Sequence, residues 1–261
     1  MQRFALIGFG AIAEEIVRCL EASGELDALA GALVRRDPPG RARCPLVRDL
    51  AALLALGPET VVECAGHGAM RQYAAAVLAH GTSLLCSSVG ALADPAFEAE
   101  IAKHGGRLLI PSGAVAGIDG LLAARSAGLR EVSYTSVKPP AAWRGTPGES
   151  RVGARRCVIF EGSAREAALQ YPQNANVGAT VALAGLGLDR TVVRLVSDPQ
   201  ASGPLGVIEA EGDFGRLRFE ILAYASPRNP KTSLLTAHSL VSALRDGFCF
   251  DFPASRKELT G

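Results

Sequence analysis

A four-residue apolar run, Phe4-Ala5-Leu6-Ile7, passes directly into Gly8-Phe9-Gly10-Ala11-Ile12-Ala13, and an apolar stripe at helical spacing comes next at Ile12, Ile16, Val17 and Leu20. Strand, tight turn and helix therefore join without a spacer. Gly8 permits the turn, Gly10 lets backbone come close to a bound group, and the small Ala13 lets helix and strand pack tightly. The first N–H groups of such a helix have no partner within it, and a pyrophosphate is an anion that suits them. The expectation is the entry unit of a dinucleotide-binding fold, with Gly8, Gly10, Ala11, Ile12 and Ala13 at the cofactor. The alternative is an ordinary β-to-α turn without a ligand.

The chain up to Pro111 repeats the same grammar. Strands are expected at residues 29–34, 60–64, 82–86 and 107–110, with helices at 69–80 and 94–104 that stop at Gly81 and at Gly105-Gly106. Short apolar runs alternating with helices specify a parallel sheet with crossover helices. Beyond Pro111 the pattern changes to strands at 131–138, 207–211 and 216–223, an Ala/Gly/Leu-rich helix at 177–188 and a last helix at 232–245. The fold class is thus α/β, a Rossmann-type doubly wound parallel sheet with a second α+β domain. Residues 1–110 are expected to form the dinucleotide-binding domain, joined by the C-terminal segment 227–261, and 111–226 the second domain. The Pro/Gly-rich stretch 139–153 reads as a lid or a disordered loop.

Bulk properties exclude several classes. The 27 basic and 26 acidic residues nearly cancel, leaving a formal charge of +1, so no electrostatic excess would hold nucleic acid or an anionic membrane. No apolar run approaches the ~18 residues of a membrane span, and a cytoplasmic setting is expected. Six scattered cysteines, with no Cys-x-x-Cys pair and no histidine at metal-ligand spacing, read as buried or incidental thiols with no metal expected.

In open α/β sheets ligands collect beyond the carboxyl ends of the strands. Ala65 and Gly66, after the strand at 60–64, are therefore cofactor candidates. At the end of the second strand, where an acidic residue would bind the ribose of NAD, stand Arg35 and Arg36. Their guanidinium groups suit a 2′-phosphate, so NADP is as good a candidate as NAD; the alternative is that both are simply solvated. His67 and Lys138 are the acid–base candidates, the first on a loop, the second at a strand end before two prolines. Asn174, Asn176, Lys231, Thr232 and Ser233 make the strongest polar cluster, set at two expected helix starts that would suit a dicarboxylate or serve only as caps. His238 reads as a packing residue of the last helix.

Four segments, Ser112-Gly113-Ala114-Val115-Ala116-Gly117-Ile118-Asp119, Lys138-Pro139-Pro140 with Trp143, Asn174-Ala175-Asn176-Val177 and Asn229-Pro230-Lys231-Thr232-Ser233, together resemble the L-aspartate dehydrogenases. The resemblance implies a homodimeric enzyme that uses NAD or NADP to oxidise L-aspartate to iminoaspartate, or runs the reductive amination of oxaloacetate, in some organisms feeding NAD biosynthesis. It also implies that Ala114 and Asn176 lie near the nicotinamide end of the cofactor, and that 111–226 carries substrate and dimer contacts. The family's active-site histidine falls at Gly206, counted back from Glu211-Gly212-Asp213-Phe214-Gly215, and its neighbouring asparagine and glutamate fall at Pro204 and Val207. Glycine cannot relay a proton. Alternatives are a dehydrogenase or imine reductase for a different amine or amino acid, and a nucleotide-binding homologue with weakened catalysis.

Overall fold

The computed structural model describes residues 1–38, 42–226 and 229–252, with backbone only for 225, 226 and 229–232. It divides into two compact units, 1–111 with 236–261, and 112–235.

The first unit is built on β1 (Phe4–Ile7), α1 (Ala11–Ser23), β2 (Leu29–Leu33), β3 (Leu46–Val47), α2 (Leu50–Ala55), β4 (Thr60–Glu63), α3 (His67–Ala79), β5 (Ser83–Cys86), α4 (Pro95–Ile101) and β6 (Leu108–Pro111). The central strands β1, β2 and β4 are buried along their whole length, as strands covered on both faces must be. Local chemistry sets the helix ends. Gly24 takes the left-handed conformation that closes α1; Asp94 caps α4 by accepting from the N–H groups of Ala96 and Phe97, with Pro95 at the first helical position. The sheet runs β3-β2-β1-β4-β5-β6 and ends in β14 (Cys249–Asp251), which pairs antiparallel with β6. That edge strand, and the short β3 and α2, carry too few periodic residues to be read from sequence. The chain's last long helix, α8 (Leu234–Asp246), puts Ala237, Leu240, Val241 and Leu244 into the core formed by Phe4, Leu6, Ile16 and Leu20.

The second unit contains α5 (Ile118–Ser126), β7 (Leu129–Lys138), β8 (Cys157–Ser163), α6 (Ala164–Gln170), α7 (Asn176–Ala184), β9 (Val192–Ser197), β10 (Leu205–Gly212), β11 (Gly215–Leu222) and a small ribbon of β12 (Ala225–Ser226) with β13 (Asn229–Ser233). Its sheet is ordered β11-β10-β7-β9-β8, antiparallel except where β7 meets β9. Helix α7 is apolar nearly all round and buried; a Cβ added at Gly178 would stand 3.0 Å from Val193 of β9, so α7 lies directly on the sheet.

One expectation is corrected here. The stretch at 139–153 is not disordered: it forms short helical turns at Pro140–Trp143 and Glu149–Arg151. Trp143 is fully buried and meets Tyr171 edge to face at 6.4 Å between ring centroids. Among the described residues no helix is long and apolar enough to cross a membrane.

Candidate active site

Strand order reverses at β1, with β2 on one side and β4 on the other. Ligands of such sheets gather at the carboxyl ends around that point. The helices that come after β1 and β4 there, α1 and α3, have glycine at the N-cap, Gly10 and Gly66, whereas α2 and α4 are capped by the side chains of Asp49 and Asp94. Helix starts without a capping side chain leave N–H groups for a ligand. Gly8 has φ +96°, and a Cβ there would sit 2.7 Å from the Cβ of Ala65, so only glycine fits. A Cβ at Gly10 would meet nothing within 4 Å: the space over the turn is open to a phosphate. Gly10 is exposed, Ala11 and Ile12 are partly exposed and Ala13 is buried against the sheet. The residues present therefore fit the pyrophosphate of a dinucleotide.

A residue that sequence reasoning missed holds this end together. Glu63, the last residue of β4, is 1% exposed and accepts from the N–H groups of Ala65 and Gly66, both at 2.7 Å, and of Ser88 at 3.1 Å. Burial raises the pKa of its carboxyl, while bonds from Ser88, Ala65 and Gly66 pull it back. One carboxyl so fixes the loops after β4 and β5. The N–H groups of Ala65 and Gly66 are turned towards Glu63 rather than outward. The signal in the sequence was an acidic residue inside the apolar run Val61-Val62-Glu63-Cys64.

Arg35 and Arg36 stand exposed just after β2, beside Asp37, which is paired with Arg48 at 2.6 Å. His67, expected on a loop, is the first residue of α3. His238 is corrected as well: its side chain is half exposed on α8 rather than packed in the core.

In the second unit one face of the sheet carries a polar row under α7. Tyr134, Ser136 and Lys138 alternate along β7, and Val193, next to Tyr134 in register, touches α7 at Gly178. Lys138 donates to Asn174 Oδ1 at 2.9 Å, just ahead of α7, so two of the site residues expected from sequence are brought together. Burial lowers the Lys138 ammonium to about 8. Its partner in register on β9, Ser197, has a wholly buried hydroxyl with no hydrogen-bond partner among the described residues. A lysine whose pKa burial has brought down to about 8 costs stability and can exchange a proton. Asn176 opens α7 as its first residue, the N-cap being Ala175, which has no polar side chain.

Gly206 pairs with Ser136 and faces the same side. A Cβ there would lie 3.2 Å from the Tyr134 hydroxyl and 3.6 Å from Val115. Burial pushes the Tyr134 hydroxyl up to about 12, with a hydrogen bond to Ser136 opposing. Ala114 is partly exposed between Gly113 and Val115 in the loop before α5. Ser233 accepts from the N–H of Leu235 at 3.2 Å and so serves as a cap at the start of α8. The side chains of Lys231 and Thr232 lie outside the described residues.

Comparison with known proteins decides what these features belong to. Residues 119–247 match the family model for the aspartate dehydrogenase C-terminal domain, and residues 8–107 match the NAD-binding domain model of homoserine dehydrogenase. L-Aspartate dehydrogenase of Pseudomonas aeruginosa is 44% identical over 259 residues, covering 94% of this chain and 97% of that protein. The chain belongs to the L-aspartate dehydrogenase family. L-Aspartate dehydrogenase of Ruegeria pomeroyi is 43% identical over 93% of this chain and 91% of its own length. Among solved structures, aspartate dehydrogenase of Thermotoga maritima superposes with a TM-score of 0.74 at 26% identity, covering 94% of this chain and 96% of its own. Homoserine dehydrogenase of Thiobacillus denitrificans, 14% identical with a TM-score of 0.59, shares the fold. The first unit of this family member is an NAD(P)-binding Rossmann-type domain.

Proposed function

We propose that the protein oxidises L-aspartate to iminoaspartate with NAD or NADP, or catalyses the reverse reductive amination, with Lys138 as its acid–base group. The observation that carries the substrate is the end-to-end likeness to L-aspartate dehydrogenases at 44% identity. When bound, the nicotinamide supplies the hydride acceptor. The chain's own residues do the rest. The first-turn N–H groups of α1, at Gly10, Ala11 and Ile12, hold the pyrophosphate, with Gly8 and Ala13 allowing that approach. Ala65 and Gly66 offer their CH surface, since their N–H groups are engaged by Glu63. Arg35 and Arg36 take a 2′-phosphate when the cofactor is NADP. Ala114 and Asn176 border the nicotinamide end.

A protonated amine has no lone pair with which to expel a hydride, so a base must take the ammonium proton first. Lys138 is suited to this: at about 8 its amine is substantially neutral in mildly alkaline solution, and Asn174 orients it. The resemblance puts the family's histidine at Gly206, which has no side chain, and Lys138 lies one residue pair further along the same face of β7, two positions after Ser136. His67, at the start of α3, is the lesser candidate. Asn174, Lys231, Thr232 and Ser233 bind the substrate carboxylates in this reading. By the same likeness the protein works as a homodimer, takes 111–226 as its substrate and dimer domain, and supplies iminoaspartate to NAD biosynthesis; the scattered, unpaired cysteines suit a reducing cytoplasm.

Steady-state turnover with L-aspartate and each oxidised cofactor, and with oxaloacetate, ammonia and each reduced cofactor, tests the assignment. Turnover in at least one direction is expected. Tight cofactor binding without turnover of either substrate pair overturns it.

A further inference from the structure

We propose that Glu15, Cys19 and His238 form a binding site for a zinc-type divalent cation that pins the last helix to the first. Glu15 and Cys19 lie four residues apart on α1 and so share one face. His238 reaches them from α8, with its Nδ1 3.6 Å from Cys19 Sγ and its Nε2 3.4 Å from Glu15 Oε1. All three residues bring a ligand atom within 4.8 Å of the others, and among the described residues no other group of three does so.

The Cys19–His238 spacing is that of two donors in one coordination shell, with Nδ1 as the imidazole ligand and the Glu15 carboxylate turning from Nε2 to the ion. A tetrahedral ion about 2.3 Å from sulfur and about 2.0–2.1 Å from nitrogen holds those two donors about 3.5 Å apart. Cys19 and His238 are at that separation. Sulfur, imidazole nitrogen and carboxylate oxygen in one shell select zinc over magnesium or calcium. Thiolate and carboxylate together neutralise the ion's two charges, which favours it at a position where Glu15 is only 7% exposed.

Arg18 grips both oxygens of Glu15, with Nε 3.1 Å from Oε2. Arg18 is itself 60% exposed, so it can swing into solvent while the carboxylate turns to the ion. Three protein ligands leave a fourth position for water. Glu15 and Cys19 sit beside Ile16 and Leu20, which pack with Leu240 and Leu244, so an ion here adds a polar clamp at the rim of an apolar contact already made.

The test uses the full-length protein, reduced and freed of metal with a chelator. Zinc is titrated against a chromophoric chelator, and cobalt(II) is added in parallel as a spectroscopic probe. One equivalent of zinc is expected, with a rise in thermal midpoint, a thiolate-to-cobalt charge-transfer band and the intense visible bands of tetrahedral cobalt. Cys19→Ser removes the charge-transfer band. Replacing a residue that merely hydrogen-bonds to a ligand already costs about 10- to 100-fold in metal affinity, so His238→Gln, which removes a ligand, weakens zinc by about tenfold or more. His238 is half exposed, so this variant reports even where Cys19→Ser fails to fold. Absence of stoichiometric zinc binding, a charge-transfer band that survives Cys19→Ser, or unchanged affinity in His238→Gln overturns the proposal.

Discussion

Lys138→Met removes the amine while keeping most of the length of the side chain, and the burial of that amine sets the size of the effect. With its amine at about 8 rather than 10.5, Lys138 is about half neutral at pH 8, where an unperturbed lysine would be about 0.3% neutral. Burial therefore raises the supply of base by about two orders of magnitude at that pH. The same shift carries a cost. The folded-state pKa lies below the unfolded value, so between pH 8 and 10.5 the unfolded chain binds more protons and stability rises with pH. Below pH 8 the cost of holding this partly buried ammonium, at most about 3 kcal/mol, is present. Losing the bond to Asn174 returns about 1 kcal/mol of it. Lys138→Met is then expected to be about 1–2 kcal/mol more stable than the parent at pH 7, an advantage lost as the pH rises from 8 to 10.5. In aspartate oxidation the parent should show a rate that climbs with pH to a plateau, with its midpoint near 8. The variant should lose that limb and about 10²- to 10⁴-fold in kcat, and Lys138→Arg, which keeps a cation but not a base, should behave alike. Denaturant melts across pH and full pH–rate profiles of kcat and kcat/KM read both effects. A variant that keeps its rate within a few-fold and the same alkaline limb, or one destabilised at pH 7, refutes the reasoning. A loss confined to KM would instead make Lys138 a carboxylate binder.

Gly8→Ala forces a Cβ to 2.7 Å from Ala65 at φ +96°, so it should cost about 1–3 kcal/mol of stability and weaken binding of NAD(P); fluorescence titration with the reduced cofactor checks this, and unchanged affinity would contradict the role of the turn. The double change Arg35→Ala with Arg36→Ala should raise KM for NADP by about tenfold or more while leaving NAD unaffected, since charged hydrogen bonds contribute about 1.5–3 kcal/mol each; an unchanged KM for both cofactors would mean the arginines are merely solvated, and equal losses for both would contradict a 2′-phosphate contact. Trp143→Ala empties a fully buried site and should lower stability by about 3–5 kcal/mol, read as a lowered thermal midpoint. A variant as stable as the parent would show that this tryptophan does not anchor the 139–153 stretch.

Much of the first unit was legible because its signals are local. The apolar run 4–7, the glycine turn and the Ile16, Val17, Leu20 stripe are enough to specify strand, turn and helix, and period and punctuation mark the other long elements. Strands of two or three residues, β3 and β14, have no period to read and exist only because a neighbour offers hydrogen bonds. Trp143 looked mobile among prolines and glycines, since its anchoring depends on Tyr171 in a later segment. Glu63 could be noticed but not interpreted: its three N–H donors come from two loops that only the sheet brings near it. Cys19 and His238 are 219 residues apart, and spacing rules for metal ligands do not reach that far. Lys138 was visible as a candidate from its place at a strand end, but its lowered pKa comes from burial that no linear pattern encodes.

The central claim is that this chain moves hydride from the α-carbon of aspartate to a nicotinamide. Incubation with L-aspartate deuterated at the α-carbon, with mass spectrometry of the reduced cofactor, tests it most directly. Reduced NAD or NADP that carries the deuterium is expected, formed more slowly than with unlabelled aspartate if hydride transfer limits the rate. Cofactor that stays oxidised, or is reduced without label, would contradict the claim.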